Sequence, residues 1–209
     1  MSADLYDTKA LCGAVTRRGY NMTTASGKPF WPSDPRPQDI RISDIAAHLS
    51  RICRFNGAIK DDIDVYSVAQ HSVLVERYFT IFNPNSSTNA RLAALLHDAA
   101  EAYLGDMIKP IKDSYAERKA HEARVSRVIE QRFGLRPKSL DDPRIKVQDY
   151  RAVLTEHRDL QVDTGEVDWG LDHALAGPWE ETIIPVGTGE ARDMFLERFA
   201  ELYGAEDGK

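Results

Sequence analysis

From about residue 40 onward, apolar residues recur at helical spacing. Ile45, Leu49, Ile52 and Cys53 form a first stripe, with Ser43 as its expected N-cap and Gly57 as its stop. Val68, His71, Val75 and Tyr78 share a second face, and Ser67 with Gln70 three residues on predicts a capping box. After the break at "NPNSST", the stretch "RLAALLHDAAEAYLGDMIKP" from Arg91 reads as a helix ending at Gly105. A long charged helix follows over about 113–133, stopped near Gly134 and Pro137. Asp142-Pro143 opens the next, with proline at the first helical position and Ile145, Asp149, Val153 and Leu154 facing inward. A loop with Gly170, Gly177 and Pro178 leads to a last helix, roughly Glu190 to Tyr203. The first 40 residues differ. Ala25-Ser26-Gly27 suits a turn between two short extended pieces, and prolines 29, 32, 35 and 37 argue against regular structure. The pattern predicts one all-α helical bundle over 1–209: a short extended or hairpin extension to residue 40, a core over about 41–165, and a helical C-terminal region over 166–209.

Three predicted helices carry a polar residue where a core residue belongs. His71 lies between Val68 and Val75, Asp149 between Ile145 and Val153, and His97 four residues before Glu101. A buried charge is costly unless it is paired or bound to a metal. A single histidine on an apolar face is usually a hydrogen-bonded core residue, and a single aspartate can be solvated. The adjacent His97-Asp98 pair, with His71 upstream and Asp149 downstream, is more specific than its parts. The economical account is convergence of the helices on a shared ion, with imidazole suiting transition metals and carboxylate supplying charge.

Composition narrows the function classes. The net charge of −6 disfavours a broad basic face for long nucleic acid. Cys12 and Cys53 are too few for a disulfide framework. No apolar run approaches the roughly 20 residues of a membrane span, and "MSADLYDTKA" lacks the apolar centre of a signal peptide. The expected compartment is the cytoplasm, with no membrane partner.

The order His71, His97-Asp98, Asp149 resembles the ligand set of the HD-domain metal-dependent phosphohydrolases. "HDAAEAYLGDMIKPIK" is similar to the H-D-x-x-E-x-x-x-G-D-x-x-x-P-x-K segment of bacterial HD-type 5′-deoxynucleotidases and the related phage dATP triphosphohydrolases. "SRICRFNG" followed by "YSVAQHS" resembles their substrate-side arginine and first histidine, and "SGKPFWPSDPRPQDI" their opening. The resemblance covers most of residues 20–160.

It implies an HD-domain bundle that hydrolyses the 5′ phosphoester of a deoxyribonucleotide, with His71, His97, Asp98 and Asp149 as metal ligands. Manganese, cobalt, zinc, iron or nickel would suit these ligands, and magnesium could arrive with the phosphates. Glu101 matches the family acid/base. Asp106 matches a carboxylate near the sugar and scissile phosphate, and Arg54 and Lys112 match phosphate binders. Phe55 stands where the nucleotidases carry a larger aromatic. A small nucleotide substrate and a homo-oligomer are expected.

Monophosphatase and triphosphohydrolase chemistry attack the same phosphorus, so basic residues for a phosphate tail separate them. Arg17, Arg18, Lys28, Lys109, Lys112, Arg118 and Lys119 are the candidates. A di-iron oxygenase needs further histidines between the His-Asp pair and Asp149, where only His121 lies. A non-catalytic nucleotide-binding module would be expected to have lost a ligand or the acid/base, and all are present. His48, His121, His157, His173, Trp31, Trp169 and Trp179 are assigned to surface or packing, and Glu156 with Arg158 to a structural ion-pair network.

Overall fold

The computed structural model describes residues 17–112, 114–163, 165 and 177–204. Cys12, Trp169, Gly170 and His173 lie outside them, as does the side chain of Lys109. The chain opens with a two-stranded antiparallel hairpin, β1 (Met22–Thr23) and β2 (Pro29–Phe30), in which Met22 pairs with Phe30. Helices follow: α1 (Ile42–Leu49), α2 (Val68–Phe82), α3 (Thr88–Leu95), α4 (Glu101–Leu104), α5 (Lys109–Lys112), α6 (Ala116–Arg132), α7 (Pro143–Leu160) and α8 (Thr188–Gly204). The all-α bundle with a small N-terminal hairpin is as the pattern predicts.

Local chemistry explains most boundaries. The Ser67 hydroxyl accepts from Gln70 N, Ser87 from Ala90 N, and the Asp142 carboxylate from Arg144 N, so α2, α3 and α7 each carry a side-chain cap. The capping box at α2 is only half made. The Gln70 amide instead donates to Ile184 O and accepts from Val186 N, tying the C-terminal segment to α2.

Other expectations shift. Helix α1 begins at Ile42, so Ser43 is not its cap; Arg41 holds that position without a side-chain bond. The buried Asp44 in this first turn accepts from Ser26 N at 2.7 Å and Ser26 Oγ at 2.9 Å, and so anchors the hairpin turn. Pro29 sits in a strand, where an edge position tolerates it, and Pro37 opens a 3-10 turn over Pro37–Asp39. The helix expected from Arg91 to Gly105 is broken. Backbone turns over 96–100 separate α3 from α4 and carry the His97-Asp98 pair.

Helix α2 lies at the centre, packed against α3, α7 and α8, while α1 packs on α4 and α8. Leu92, Leu95, Val75, Phe79, Ile129 and Phe195 are wholly buried there. The C-terminal region therefore contributes more than the single added helix its sequence suggests. Trp179 is 1% exposed and stacks on Tyr78 with ring centroids 3.9 Å apart. Glu76, fully buried on α2, is held by Arg198 of α8 at 2.6 and 2.8 Å. No helix among the described residues is long and apolar enough to cross a membrane.

Gly105 ends α4 at φ 78 and ψ 157, a region essentially reserved for glycine, although a Cβ there would meet nothing within 4 Å. The cost of a side chain is thus conformational, not steric. Gly105→Ala is expected to destabilise the protein by on the order of 1–3 kcal/mol in urea unfolding. An unchanged midpoint and slope would show that this turn relaxes freely.

Candidate active site

Three segments meet at one point. Helix α2 supplies His71, the turn after α3 supplies His97 and Asp98, and α7 supplies Asp149. His71 Nε2 lies 3.5 Å from Asp98 Oδ2 and 3.2 Å from Asp149 Oδ1. His97 Nε2 lies 3.3 Å from Asp98 Oδ2 and 4.0 Å from Asp149 Oδ1. The two imidazoles are 5.4 Å apart, centroid to centroid.

The second nitrogen of each ring fixes its orientation. His71 Nδ1 donates to Glu156 Oε1 at 2.6 Å, and His97 Nδ1 donates to the Ala94 carbonyl at 2.9 Å. Both acceptors can only accept, so each ring carries its proton on Nδ1 and turns Nε2 toward the carboxylates. Both Nε2 atoms are buried and make no hydrogen bond among the described residues. Buried nitrogens with no partner are rare in a folded protein. Two of them facing shared carboxylates suit a cation. His71, His97 and Asp98 present ligand atoms within 4.8 Å of one another, so this group fits a divalent ion, with Asp149 beside it.

The protonation balance reflects the same crowding. Burial and Arg54 work against a charge on His71, but with no ion at Nε2 Glu156 and Asp149 outweigh them and raise it to about 10, so a metal ion bound there would displace the Nε2 proton and leave the one on Nδ1. Burial pushes the Asp98 carboxyl up, but His97, His71 and Arg54 outweigh it and hold Asp98 well below the ordinary range. Asp149 is likewise lowered, with burial opposing and His71 dominating.

Arg54 reaches the site from a turn whose backbone is pinned to the start of α2. Arg54 N donates to Tyr66 O at 2.9 Å, and Val68 N to Ile52 O at 3.0 Å. The next two residues, Phe55 and Asn56, adopt positive φ of 55 and 54, a conformation asparagine tolerates and phenylalanine rarely takes. The Arg54 guanidinium lies 5.4 Å from the Phe55 ring centroid. Its Nη1 is 3.8 Å from Asp98 Oδ2, its Nη2 donates to Glu156 Oε2 at 3.2 Å, and its Nε is buried without a hydrogen bond. Burial disfavours its charge, yet Glu156 and Asp98 keep it firmly ionised.

Glu101, 5% exposed, opens α4, and its Oε2 is buried with no partner. Burial, Asp98 and Asp106 together push its carboxyl well above the usual carboxylate range. Asp106, half-buried on the loop after Gly105, is also raised, by burial first; Arg54 opposes and Asp98 adds. Arg118 of α6 donates to the Leu104 and Gly105 carbonyls and so secures the chain leading into Asp106. Lys112 is engaged by Glu122 at 2.7 Å. The structure brings His71, His97, Asp98, Asp149, Arg54, Phe55, Glu101 and Asp106 into one neighbourhood, and Lys112, paired with Glu122, lies close enough to Glu101 and Asp98 to interact with their charge.

The sequence pattern places Glu156 in an ion-pair network but with the wrong partner, and it does not single out Tyr66. Glu156 accepts from His71, Tyr66 and Arg54 beneath the site, whereas Arg158 pairs with Asp159 and not with Glu156. The signal was present: Glu156 is seven residues after Asp149, two turns along the same inward face of α7. His48, set aside as surface or core, is structural. It accepts from Ala25 N at 3.0 Å and donates to the Ala102 carbonyl at 2.7 Å, bridging hairpin and α4.

Comparison with known proteins agrees with this geometry. Residues 68–185 match the family described as HD domain. The chain is 36% identical to the uncharacterized protein YfdR of Escherichia coli (strain K12) over 181 residues, 87% of this chain and 94% of that protein. An uncharacterized protein of Rhodobacter capsulatus is 45% identical over 111 residues, 53% of this chain and 56% of its own. The chain belongs to the HD domain family, whose members are metal-dependent hydrolases. It is an HD-type metal-dependent phosphohydrolase.

Proposed function

We propose that the protein is a 5′-deoxynucleotidase, converting a deoxynucleoside monophosphate to deoxynucleoside and phosphate. The observation that carries this reading is the buried Glu101 Oε2, without a partner, beside the His71, His97 and Asp98 cluster and the Arg54 guanidinium. A bound divalent ion supplies Lewis-acid polarisation of a phosphoryl oxygen and a more acidic water. His71, His97, Asp98 and Asp149 hold it, and manganese, cobalt, zinc, iron or nickel suits them. Arg54 offers Nε and Nη1 to the phosphate, with paired donors that match its oxygens. Glu101 moves the proton between water and leaving oxygen, and Asp106 faces the sugar side. Phe55, held beside Arg54, lines the substrate end.

Engagement of four of the seven candidate cations elsewhere supports a monophosphate over a triphosphate. Among the described residues, Arg17 is bound bidentately to Asp39, Arg18 is spent on the Ser33 carbonyl, and Arg118 on Leu104 and Gly105. Lys112 is paired with Glu122. Arg54 remains the guanidinium directed at the metal-site carboxylates.

Incubation with each dNMP and dNTP, in turn with Mn²⁺, Co²⁺, Mg²⁺ or Zn²⁺, tests the reading by ion-pair chromatography. Deoxynucleoside and inorganic phosphate from dNMPs are expected. Release of triphosphate from dNTPs with dNMPs untouched would replace the reading with a triphosphohydrolase.

A further inference from the structure

Glu156 is wholly buried on α7. Its two oxygens nevertheless serve three groups from separate parts of the chain. Oε1 accepts from His71 Nδ1 at 2.6 Å and from the Tyr66 hydroxyl at 2.9 Å, and Oε2 accepts from Arg54 Nη2 at 3.2 Å. We propose that Glu156 is a positioning residue that sets the metal-facing edge of His71 and the phosphate-facing edge of Arg54 together. The proposal rests on the reading of His71 as a metal ligand and Arg54 as a phosphate binder.

The argument follows from donor and acceptor inventories. A carboxylate can only accept, so Glu156 forces the His71 proton onto Nδ1 and leaves the Nε2 lone pair toward Asp98 and Asp149. The outer hydrogen bond of a metal-binding histidine commonly sets its tautomer and its basicity. The same carboxylate occupies Nη2 of Arg54, so the free donors of that guanidinium are Nε, which has no hydrogen bond, and Nη1, on the Asp98 side. Tyr66, held by its backbone to Arg54 N, keeps the carboxylate from rotating. One buried group thus couples the order of the ion's ligand to that of the anion's donor. Mere charge balance would need neither the bidentate sharing nor the tyrosine.

Glutamine is the informative replacement. Its carbonyl oxygen can accept from His71 or from Arg54, and its amide NH₂ then meets the other as a donor. If the NH₂ faces His71, it drives the ring proton to Nε2 and blocks the metal edge. If it faces Arg54, two donors oppose each other and the guanidinium is displaced.

The test is calorimetry of Mn²⁺ binding to the full chain, followed by binding of inorganic phosphate to the Mn²⁺-loaded protein. Glu156→Gln is expected to weaken Mn²⁺ by about 10- to 100-fold, or phosphate by about 10-fold where Mn²⁺ is retained. Both constants staying within about twofold of wild type, with a lowered melting temperature, would overturn the proposal and leave Glu156 a purely structural residue. His71→Ala serves as the reference. If it binds Mn²⁺ as tightly as wild type, the metal-site reading has failed and the proposal falls with it. If it loses Mn²⁺ while Glu156→Gln keeps both Mn²⁺ and phosphate affinity, the proposal alone fails. Should Glu156→Gln not fold, Tyr66→Phe decides, with an expected loss of about two- to fivefold in Mn²⁺ affinity; an unchanged affinity there would count against the proposal.

Discussion

Asp98→Ala is expected to lower phosphohydrolysis by at least about 10³-fold, equivalent to about 4 kcal/mol of transition-state stabilisation. Among the side chains of the cluster, Asp98 is near both imidazole Nε2 atoms, at 3.3 and 3.5 Å, and also near Arg54 Nη1 at 3.8 Å. Among the described residues no other carboxylate lies within 4.0 Å of all three. Asp149 approaches the two histidines at 3.2 and 4.0 Å, but the group with ligand atoms all within 4.8 Å is His71, His97 and Asp98. Removing Asp98 takes a full negative charge from this group and unties Arg54 from the metal side at once. Metal affinity should fall with turnover, which metal analysis after gel filtration would record. Far-UV circular dichroism should remain unchanged, because Asp98 caps no helix and sits in the turn between α3 and α4. Turnover within about tenfold of wild type at saturating Mn²⁺ would move the metal away from Asp98.

How much of this was legible in the sequence differs between fold and site. Helices α2 and α7 were legible because Ser67 and Asp142-Pro143 are strong start signals and the apolar spacing behind them is regular. The break after α3 was not. Residues 92–104 hold good helix formers, and the interruption at 96–100 follows from the tertiary need to turn His97 and Asp98 toward α2 and α7. The cluster of His71, His97, Asp98 and Asp149 was legible because polar residues on apolar stripes are costly, and that cost points to a partner. Glu156 satisfies the same criterion, being buried and charged on the face that carries Asp149. Arg158, two residues on, points instead to a local pair, whereas the partners of Glu156 are 85, 90 and 102 residues away. Long-range pairing of this kind leaves no short motif. The role of the C-terminal region was hidden for the same reason: the Glu76 to Arg198 pair spans 122 residues.

Glu101→Gln is expected to separate chemistry from metal binding. The amide keeps the shape of the side chain but cannot carry a proton, so kcat should fall by about 10²- to 10⁴-fold. Mn²⁺ affinity should stay within about threefold, because Glu101 lies outside the close ligand group. The same substitution should raise stability in metal-free protein. Burial, Asp98 and Asp106 hold the Glu101 carboxyl well above its ordinary pKa, so the folded state binds a proton that the unfolded chain has released. A group raised in this way supports the fold below the unfolded carboxylate pKa and ceases to do so as pH rises through the folded value. Glutamine carries no such penalty. In EDTA, the variant should therefore melt higher than wild type at about pH 8, and the difference should close near about pH 4, where both states of wild type are protonated. An enzyme that trades stability for a poised acid would show both effects, lower kcat and higher melting temperature, in one variant. Loss of kcat with a lower melting temperature at every pH would instead make Glu101 a packing residue. Unchanged kcat would remove it from the reaction and leave Asp106, the other raised carboxyl at the site, as the group to test.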